Sequence, residues 1–278
     1  MKLVCHYEPG SRRSEHIARC MAAGAESCGD TAELVEGFAP EVRGDVVAAY
    51  GWRHPDLFEA YRAAGKHYLY IDLGWWTRKP PDQILDGYHK VVLDGREPGP
   101  YFRRGSPSDR FMIHNQRLAP WRTSGRHILL GGMSGKSAKT RGFGPQEWER
   151  DMIRKLRSLT KRPVMYRPKP SWADATPITG TLYSHGSVPV ARALQHAWAV
   201  VTLHSNIAVD ALLAGIPVCC EQGVGSELSF ALDQIENPPL PDGRFELLAD
   251  IAYCQWHGGE IRDGTCWRHL IEETPLCT

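Results

Sequence analysis

The segment that decides the fold is Ala199-Val-Val-Thr-Leu-His-Ser-Asn-Ile-Ala-Val-Asp-Ala-Leu-Leu-Ala-Gly-Ile-Pro-Val218. Its apolar beginning, residues 199–203, predicts a buried strand, and the polar turn at residues 204–206 predicts the start of a helix. Gly215 is a typical helix stop, and Pro217 opens a second apolar strand. A strand, a short helix and another strand in immediate succession are typical of a parallel βαβ unit.

The polar turn of this segment is suited to binding phosphate groups. The first N–H groups of a helix, together with the side chains of Ser205 and Asn206, form an anion site at the carboxyl end of a strand. Asp210 lies about one helical turn further on, where a carboxylate can reach ribose hydroxyls. The alternative interpretation is an ordinary helix cap followed by a solvated aspartate.

The complete segment resembles the donor-binding region of GT-B glycosyltransferases, in which a strand, a small polar turn and a helix with an acidic residue lead into a Gly-x-Pro-Val strand. The resemblance implies that Ser205 and Asn206 hold the donor phosphates and that Asp210 binds the ribose. His204, in the same polar turn, is a further expected donor contact. Many members carry an acidic residue eight positions before the aspartate. This chain has Thr202 there, which argues against a retaining mechanism that needs an acidic pair.

The rest of the chain shows the same alternation of strands and helices. Strands are predicted at residues 3–7, 46–50, 67–72, 90–93, 163–167 and 216–220, with another beginning at His127. Helices are predicted at residues 14–23, 55–64, 145–159, 188–196 and 206–214, and residues 244–273 are predicted to be mostly helical. With the resemblance, this pattern predicts an α/β GT-B fold of two Rossmann-like domains facing each other across a cleft. We expect an acceptor-side domain at residues 1–115 and a nucleotide-sugar-binding domain with C-terminal helices at residues 116–278.

A second segment that points to phosphate is the Gly- and Lys-rich loop at residues 130–142. Its glycines let N–H groups converge on an oxyanion, and Gly132, Ser134, Lys136 and Ser137 are the expected contacts. In GT-B enzymes a loop at this place faces the donor diphosphate. The alternative is the phosphate loop of a nucleotide kinase, but that motif requires Gly where this chain has Leu130.

A third segment places Arg167 and Lys169 at the end of the strand predicted at residues 163–167. It is similar to the Arg-Pro-x-Pro or His-Pro turns of capsule- and phage-type GT-B enzymes, in which these residues face the donor. Taken alone, the same residues also fit a rigid turn with solvated charges.

The catalytic base is expected in the first domain, at the end of the strand predicted at residues 67–72. Asp72 can accept the proton of an acceptor hydroxyl, and Trp75 and Trp76 can stack on a base or a sugar. The alternative is that Asp72 caps the turn after the strand. The chain contains no Asp-x-Asp sequence, so we expect no catalytic metal and no tightly bound cofactor. Further candidates for the base are Glu8, His54 and His204.

The charge distribution indicates a phosphate-bearing partner. Residues 101–172 carry 17 basic and 4 acidic side chains, although the whole chain has a net charge of only +1. Residues 45–269 also look like small bacteriophage glycosyltransferases, some of which modify hydroxymethylated pyrimidines in DNA; residues 68–72, 127–131 and 254–256 carry this likeness. It implies that the partner is double-stranded DNA, bound through phosphate contacts and base flipping. The expected DNA contacts are Trp75, Trp76, Arg103, Arg104, Lys139 and Arg141.

The best prediction from the sequence is therefore transfer from a nucleotide sugar, with a UDP-sugar as first candidate, to 5-hydroxymethylcytosine. A surface or capsular polysaccharide is the alternative acceptor. No apolar run is long enough to span a bilayer, and the cysteines suggest a reducing compartment, so we expect a cytoplasmic protein, in the host cytoplasm if phage-encoded. Two interpretations stay open for the C-terminal region, a zinc site or a packed helical pair formed around Cys254, His257, Cys266 and His269.

Overall fold

A computed structural model describes residues 1–77, 79, 87–99, 105–274 and 276 of the chain. The chain divides into two compact units. Unit 1 consists of residues 1–114 and 248–278, and unit 2 consists of residues 115–247. Each unit is built around one mainly parallel sheet, which confirms the predicted α/β class.

Unit 1 begins with alternating strands and helices and is completed by the C-terminal residues. Its elements are β1 (Lys2–Tyr7), α1 (Arg12–Ser27), β2 (Thr31–Glu36), β3 (Val46–Tyr50), α2 (Pro55–Ala63), β4 (His67–Leu73), β5 (Tyr88–Leu93), α3 (Asp109–Ile113), β11 (Gln255–His257), α9 (Gly258–Arg262) and α10 (Thr265–Glu273). Among the described residues, the strand order is β11-β5-β4-β3-β1-β2. The first four strands are parallel, whereas β5 is antiparallel to β4 and β11 is antiparallel to β5.

The first crossover shows why this part of the chain folds as it does. β1 is an apolar strand that is buried along most of its length, and α1 begins where the Ser11 side chain accepts the N–H of Ser14. Ile17 and Met21 lie on the buried face of α1 and pack with Leu3 in the core of unit 1. Because β1, β3 and β4 are parallel, the polar residues that follow them meet at one edge of the sheet.

Unit 2 contains the segment quoted above. Its elements are β6 (His127–Gly131), α4 (Gly135–Thr140), α5 (Glu147–Leu159), β7 (Val164–Arg167), β8 (Leu182–Tyr183), α6 (Val190–Leu194), β9 (Ala197–Thr202), α7 (Ile207–Leu213) and β10 (Val218–Cys220). The described strands are all parallel, in the order β10-β9-β6-β7-β8. The chain then leaves unit 2 within α8 (Arg244–Ala252).

The βαβ prediction for residues 199–218 is confirmed by β9, α7 and β10. Gly215 follows the C-terminal cap of α7 and has a φ of +70°, a value that residues with a Cβ rarely adopt. A Cβ at this position would also lie only 1.9 Å from the carbonyl oxygen of Pro120. Glycine is therefore required both by the backbone conformation and by the close approach of the neighbouring segment.

The C-terminal residues differ from the expectation that they belong to the second domain. β11 pairs with β5, and Trp267 of α10 is fully buried in the core of unit 1. α9 packs closely on α1, since a Cβ at Gly24 would lie 2.1 Å from the Ile261 carbonyl oxygen. The prediction that residues 244–273 are mostly helical is confirmed by α8, α9 and α10. Between these helices, residues 255–257 pair as an edge strand, a long-range contact that local periodicity does not reveal.

Candidate functional site

The residues predicted to bind the donor come together in unit 2. β9, β6 and β7 are parallel neighbours, so the turns that follow them lie at one edge of the sheet. Ser137 Oγ lies 2.9 Å from His204 Nε2, which joins the turn after β6 to the turn after β9. The Gly132 N–H donates to the Arg167 carbonyl at 2.9 Å, which joins the turns after β6 and β7. We call this set the donor cluster; its members are Gly132, Ser134, Lys136, Ser137, Arg167, Lys169, His204, Ser205, Asn206 and Asp210.

Part of the predicted Gly-rich loop is a short helix, α4. The Ser134 side chain caps this helix by accepting the Ser137 N–H at 3.1 Å. Lys136 and Lys139 are exposed on α4, and the Arg141 side chain donates to Gln222 Oε1. The structure therefore keeps the basic side chains of this loop next to the donor cluster, with both lysines accessible to a ligand.

A buried carboxyl group that the sequence interpretation missed lies under this loop. Glu149 of α5 is 0% exposed, and its Oε1 accepts the Met133 N–H at 2.8 Å. Burial raises the pKa of Glu149. A Cβ at Gly132 would lie 3.0 Å from Glu149 Oε1 and 2.9 Å from the Tyr166 ring, so the loop backbone rests directly on these two side chains. The sequence does contain a signal that could have identified Glu149, because this acid lies within the apolar stripe of α5, beside Trp148 and Met152.

The turn after β9 is held to β6 by Thr202, which occupies the place of the acidic residue found in many GT-B enzymes. Thr202 is 1% exposed; its hydroxyl donates to the Gly131 carbonyl at 2.8 Å and accepts the Ser205 N–H at 3.3 Å. Ser205, Asn206 and Asp210 are each half-buried. Thr202 therefore has a structural role in shaping the polar turn.

Arg167 differs from its predicted role as a direct phosphate contact. It is 6% exposed, and its guanidinium donates to Ser184 Oγ and to the carbonyls of His185, Gly186 and Val188 at 2.6–3.4 Å. Burial lowers the pKa of Arg167, and the nearby Asp210 charge opposes this. The side chain thus anchors the loop at residues 184–188, while Lys169 remains exposed.

The predicted catalytic base lies in unit 1. Asp72 is half-buried at the carboxyl end of β4, and its Oδ2 accepts the Tyr70 hydroxyl at 2.6 Å. Its Oδ1 accepts the Leu73 N–H at 2.8 Å. Burial raises the pKa of Tyr70, and the Asp72 charge adds to this effect. Tyr70 therefore stays protonated and orients the carboxylate, which is consistent with either a base or a turn-capping residue.

The two tryptophans after Asp72 are not exposed, contrary to the expectation of a stacking surface. Trp75 and Trp76 are 3% and 4% exposed. Gln255 Oε1 accepts the backbone N–H groups of both residues, at 2.7 and 3.3 Å, and the Trp76 ring packs edge-on against Phe111. This pairing depends on β11, a strand that the sequence interpretation did not include.

Two further expectations concern DNA contacts and metals. Arg103 and Arg104 lie outside the described residues. Within the part of the chain that the structure describes, no three His, Cys, Asp or Glu side chains are grouped so that they could hold a metal ion, and this includes the four C-terminal Cys and His residues considered for zinc. A search of the same residues finds no helix with the length and hydropathy needed to cross a membrane.

No protein-family model matches this chain, and no curated protein matches it either. Solved structures do. One is Thermosulfurimonas dismutans KpsC, beta Kdo 2,4 transferase, with 15% identity, a TM-score of 0.56 and 92% of each chain covered. Another is T. dismutans KpsC, beta Kdo 2,7 transferase, with 13% identity and a TM-score of 0.53, covering 96% of this chain and 99% of that one. The likeness confirms the predicted GT-B fold class with two Rossmann-like domains.

Proposed function

We propose that this chain is a glycosyltransferase that moves a sugar from a nucleotide sugar, with a UDP-sugar as first candidate, to a hydroxyl group. The observation that carries the proposal is the donor cluster of unit 2. Three separate turns bring hydroxyl, amide, imidazole and ammonium groups to one edge of the sheet, which is where α/β folds bind nucleotides. The GT-B fold supports the same conclusion and is not the fold of a phosphate-loop kinase.

The proposed chemistry assigns one role to each unit. Asp72 accepts the proton of the acceptor hydroxyl, whose oxygen attacks the anomeric carbon of the donor while the bond to the diphosphate breaks. Lys136, Ser137 and Ser205 stabilise the charge that develops on the diphosphate. Arg167 acts indirectly, because its donors hold the loop at residues 184–188 rather than the ligand.

For the acceptor we propose 5-hydroxymethylcytosine in double-stranded DNA. The support is the basic segment at residues 101–172. Lys139 and Arg141 lie next to Lys136 and Ser137 of the donor cluster, whereas Arg157 and Lys161 lie at the C-terminal end of α5. We propose that Lys139 and Arg141 contact the DNA backbone.

A surface or capsular polysaccharide is the second candidate acceptor. The specific observation in its favour is that the two solved structures with the GT-B fold reported above are named as Kdo transferases. A glycan acceptor needs no basic surface, so the dependence of activity on Lys139 and Arg141 separates the two candidates. Reduced turnover of Lys139→Ala and Arg141→Ala on DNA, relieved at low salt, is expected only for the DNA acceptor.

The test is mass spectrometry of nucleosides after incubation of 5-hydroxymethylcytosine DNA with the protein and a panel of UDP- and CMP-sugars. We expect a gain of one sugar mass with one donor, and loss of turnover in Asp72→Asn with donor binding unchanged by calorimetry. Donor binding without DNA modification would redirect the assay to glycan acceptors. If no nucleotide sugar binds, or if Lys136-dependent hydrolysis of nucleoside triphosphates is found instead, the glycosyltransferase proposal is wrong.

A further inference from the structure

The carboxyl edge of the unit 1 sheet carries a polar cluster that the sequence interpretation did not identify. Arg13 lies in the first turn of α1, Tyr50 ends β3, and His89 lies near the start of β5. Since β5 runs antiparallel to β4, its start lies at the same edge as the end of β4. Arg13 Nη1 donates to the Tyr50 hydroxyl at 3.1 Å, and the rings of Tyr50 and His89 meet edge-on with centroids 6.2 Å apart.

This cluster contains buried polar atoms that the described part of the chain leaves unsatisfied. His89 is 0% exposed, and neither of its ring nitrogens has a hydrogen-bond partner there. The buried Nε of Arg13 also lacks a partner among the described residues. Buried donors of this kind are costly unless something binds them, so they indicate a site for an ion, a ligand group or water.

The charges at this edge favour an anion. Burial, together with the charges of Arg13 and His16, lowers the pKa of His89 to about 4 although the Asp72 charge opposes this, so the His89 ring is neutral near pH 7. Arg13 therefore supplies a positive charge that adds to the positive end of the 16-residue helix α1, while Asp72 supplies a negative charge at the same edge. The two acids that flank the start of α1 in the sequence have partners of their own. They are Glu15, paired with Arg19 at 2.8 Å, and Glu8, paired with Arg53.

We propose that Arg13, Tyr50 and the first turn of α1, backed by His89, form an anion site that binds a phosphate or carboxylate group of the acceptor. The inference rests on the proposed glycosyltransferase function and names the acceptor feature that unit 1 recognises. Tyr50 pairs with Ile71 and His89 pairs with Leu73, the residues on either side of Asp72 in β4, so the anion site adjoins the proposed base. An acceptor held there by its anion presents a neighbouring hydroxyl to Asp72.

The first test needs no turnover. Inorganic phosphate is titrated into the full chain while the backbone amides of residues 12–14 are followed by NMR. The expected result is a saturable shift that Arg13→Gln and Tyr50→Phe weaken about tenfold or more, because each removes a hydrogen bond to a charged group. Arg12→Gln is the matched control, since Arg12 is an exposed neighbour in the same turn, and it should bind phosphate as the natural chain does. The absence of a saturable shift, or equal losses in both arginine variants, would overturn the proposal.

The second test uses the acceptor. Arg13→Gln should raise the acceptor KM about ten- to a hundredfold while leaving the donor KM unchanged. Two neutralised acceptors separate the sources of the anion: a DNA duplex with methylphosphonates beside the target base, and a glycan with its carboxylates converted to amides. The natural chain should bind the neutral form of the true acceptor as weakly as Arg13→Gln binds the charged form. Combining the variant with the neutral acceptor should weaken binding no further. Fully additive losses would refute the site, whereas absence of turnover with every acceptor would refute the proposed function and leave the phosphate titration to decide this proposal.

Discussion

Replacing Glu149 by glutamine tests whether the buried carboxyl group under the donor loop shapes that loop. The folded chain raises the pKa of Glu149 above its ordinary value of 4.5 because the group is buried, whereas the unfolded chain ionises at the ordinary value. Glu149 therefore contributes stability that is fully present below about pH 4.5 and is lost as the pH rises through the folded pKa. Each pKa unit by which the folded value exceeds the unfolded value costs about 1.4 kcal/mol of folding free energy once the pH is above the folded pKa.

Glu149→Gln keeps an oxygen that can accept the Met133 N–H but removes the ionisation. We expect this variant to be more stable than the natural chain at pH 8, with an advantage that shrinks towards pH 4.5. Glu149→Leu also removes the ionisation, but it leaves the buried Met133 N–H without its acceptor. It should therefore be about 1–3 kcal/mol less stable than Glu149→Gln at every pH.

The assay is denaturant unfolding of the full chain at several pH values, followed through tryptophan fluorescence. Calorimetric titration with the nucleotide sugar gives the functional consequence. Glu149→Gln should bind donor as the natural chain does, while Glu149→Leu should bind more weakly because the loop after β6 has lost its support. The reasoning is refuted if the stability difference between Glu149→Gln and the natural chain does not change with pH, or if Glu149→Leu and Glu149→Gln are equally stable.

Two further substitutions test side chains that the structure uses as anchors. Arg167→Met should weaken donor binding at least about tenfold, because the loop at residues 184–188 loses its hydrogen bonds; calorimetry checks this, and a larger effect of Lys169→Met would contradict it. Arg110→Met should destabilise unit 1 by about 3–5 kcal/mol, because the buried Arg110 pairs with both Glu260 oxygens and lies 3.9 Å above the Trp256 ring. Denaturant unfolding measures this loss, and a change under 1 kcal/mol would show that the buried pair contributes little.

The sequence by itself determined the elements whose cause is local. Residues 199–218 were predicted as a strand, a polar turn, a helix and a strand because apolar periodicity and a glycine stop are properties of neighbouring residues. The convergence of the donor cluster also followed, since parallel strands place their following turns at one edge. Ser137 and His204 are 67 positions apart, and both were expected at the donor from the polar turns after their strands together with the GT-B resemblance.

Only the tertiary structure decided which polar side chains remain available at these edges. Arg167 and the two tryptophans were expected to face substrates, but long-range partners bury them: backbone carbonyls for Arg167, and Gln255, about 180 positions away, for Trp75 and Trp76. The same distance hid the assignment of the C-terminal strand to unit 1, because strand pairing depends on partners that no local pattern specifies. A residue's type and spacing predict where its backbone goes, whereas its burial and hydrogen bonds are set by segments remote in the chain.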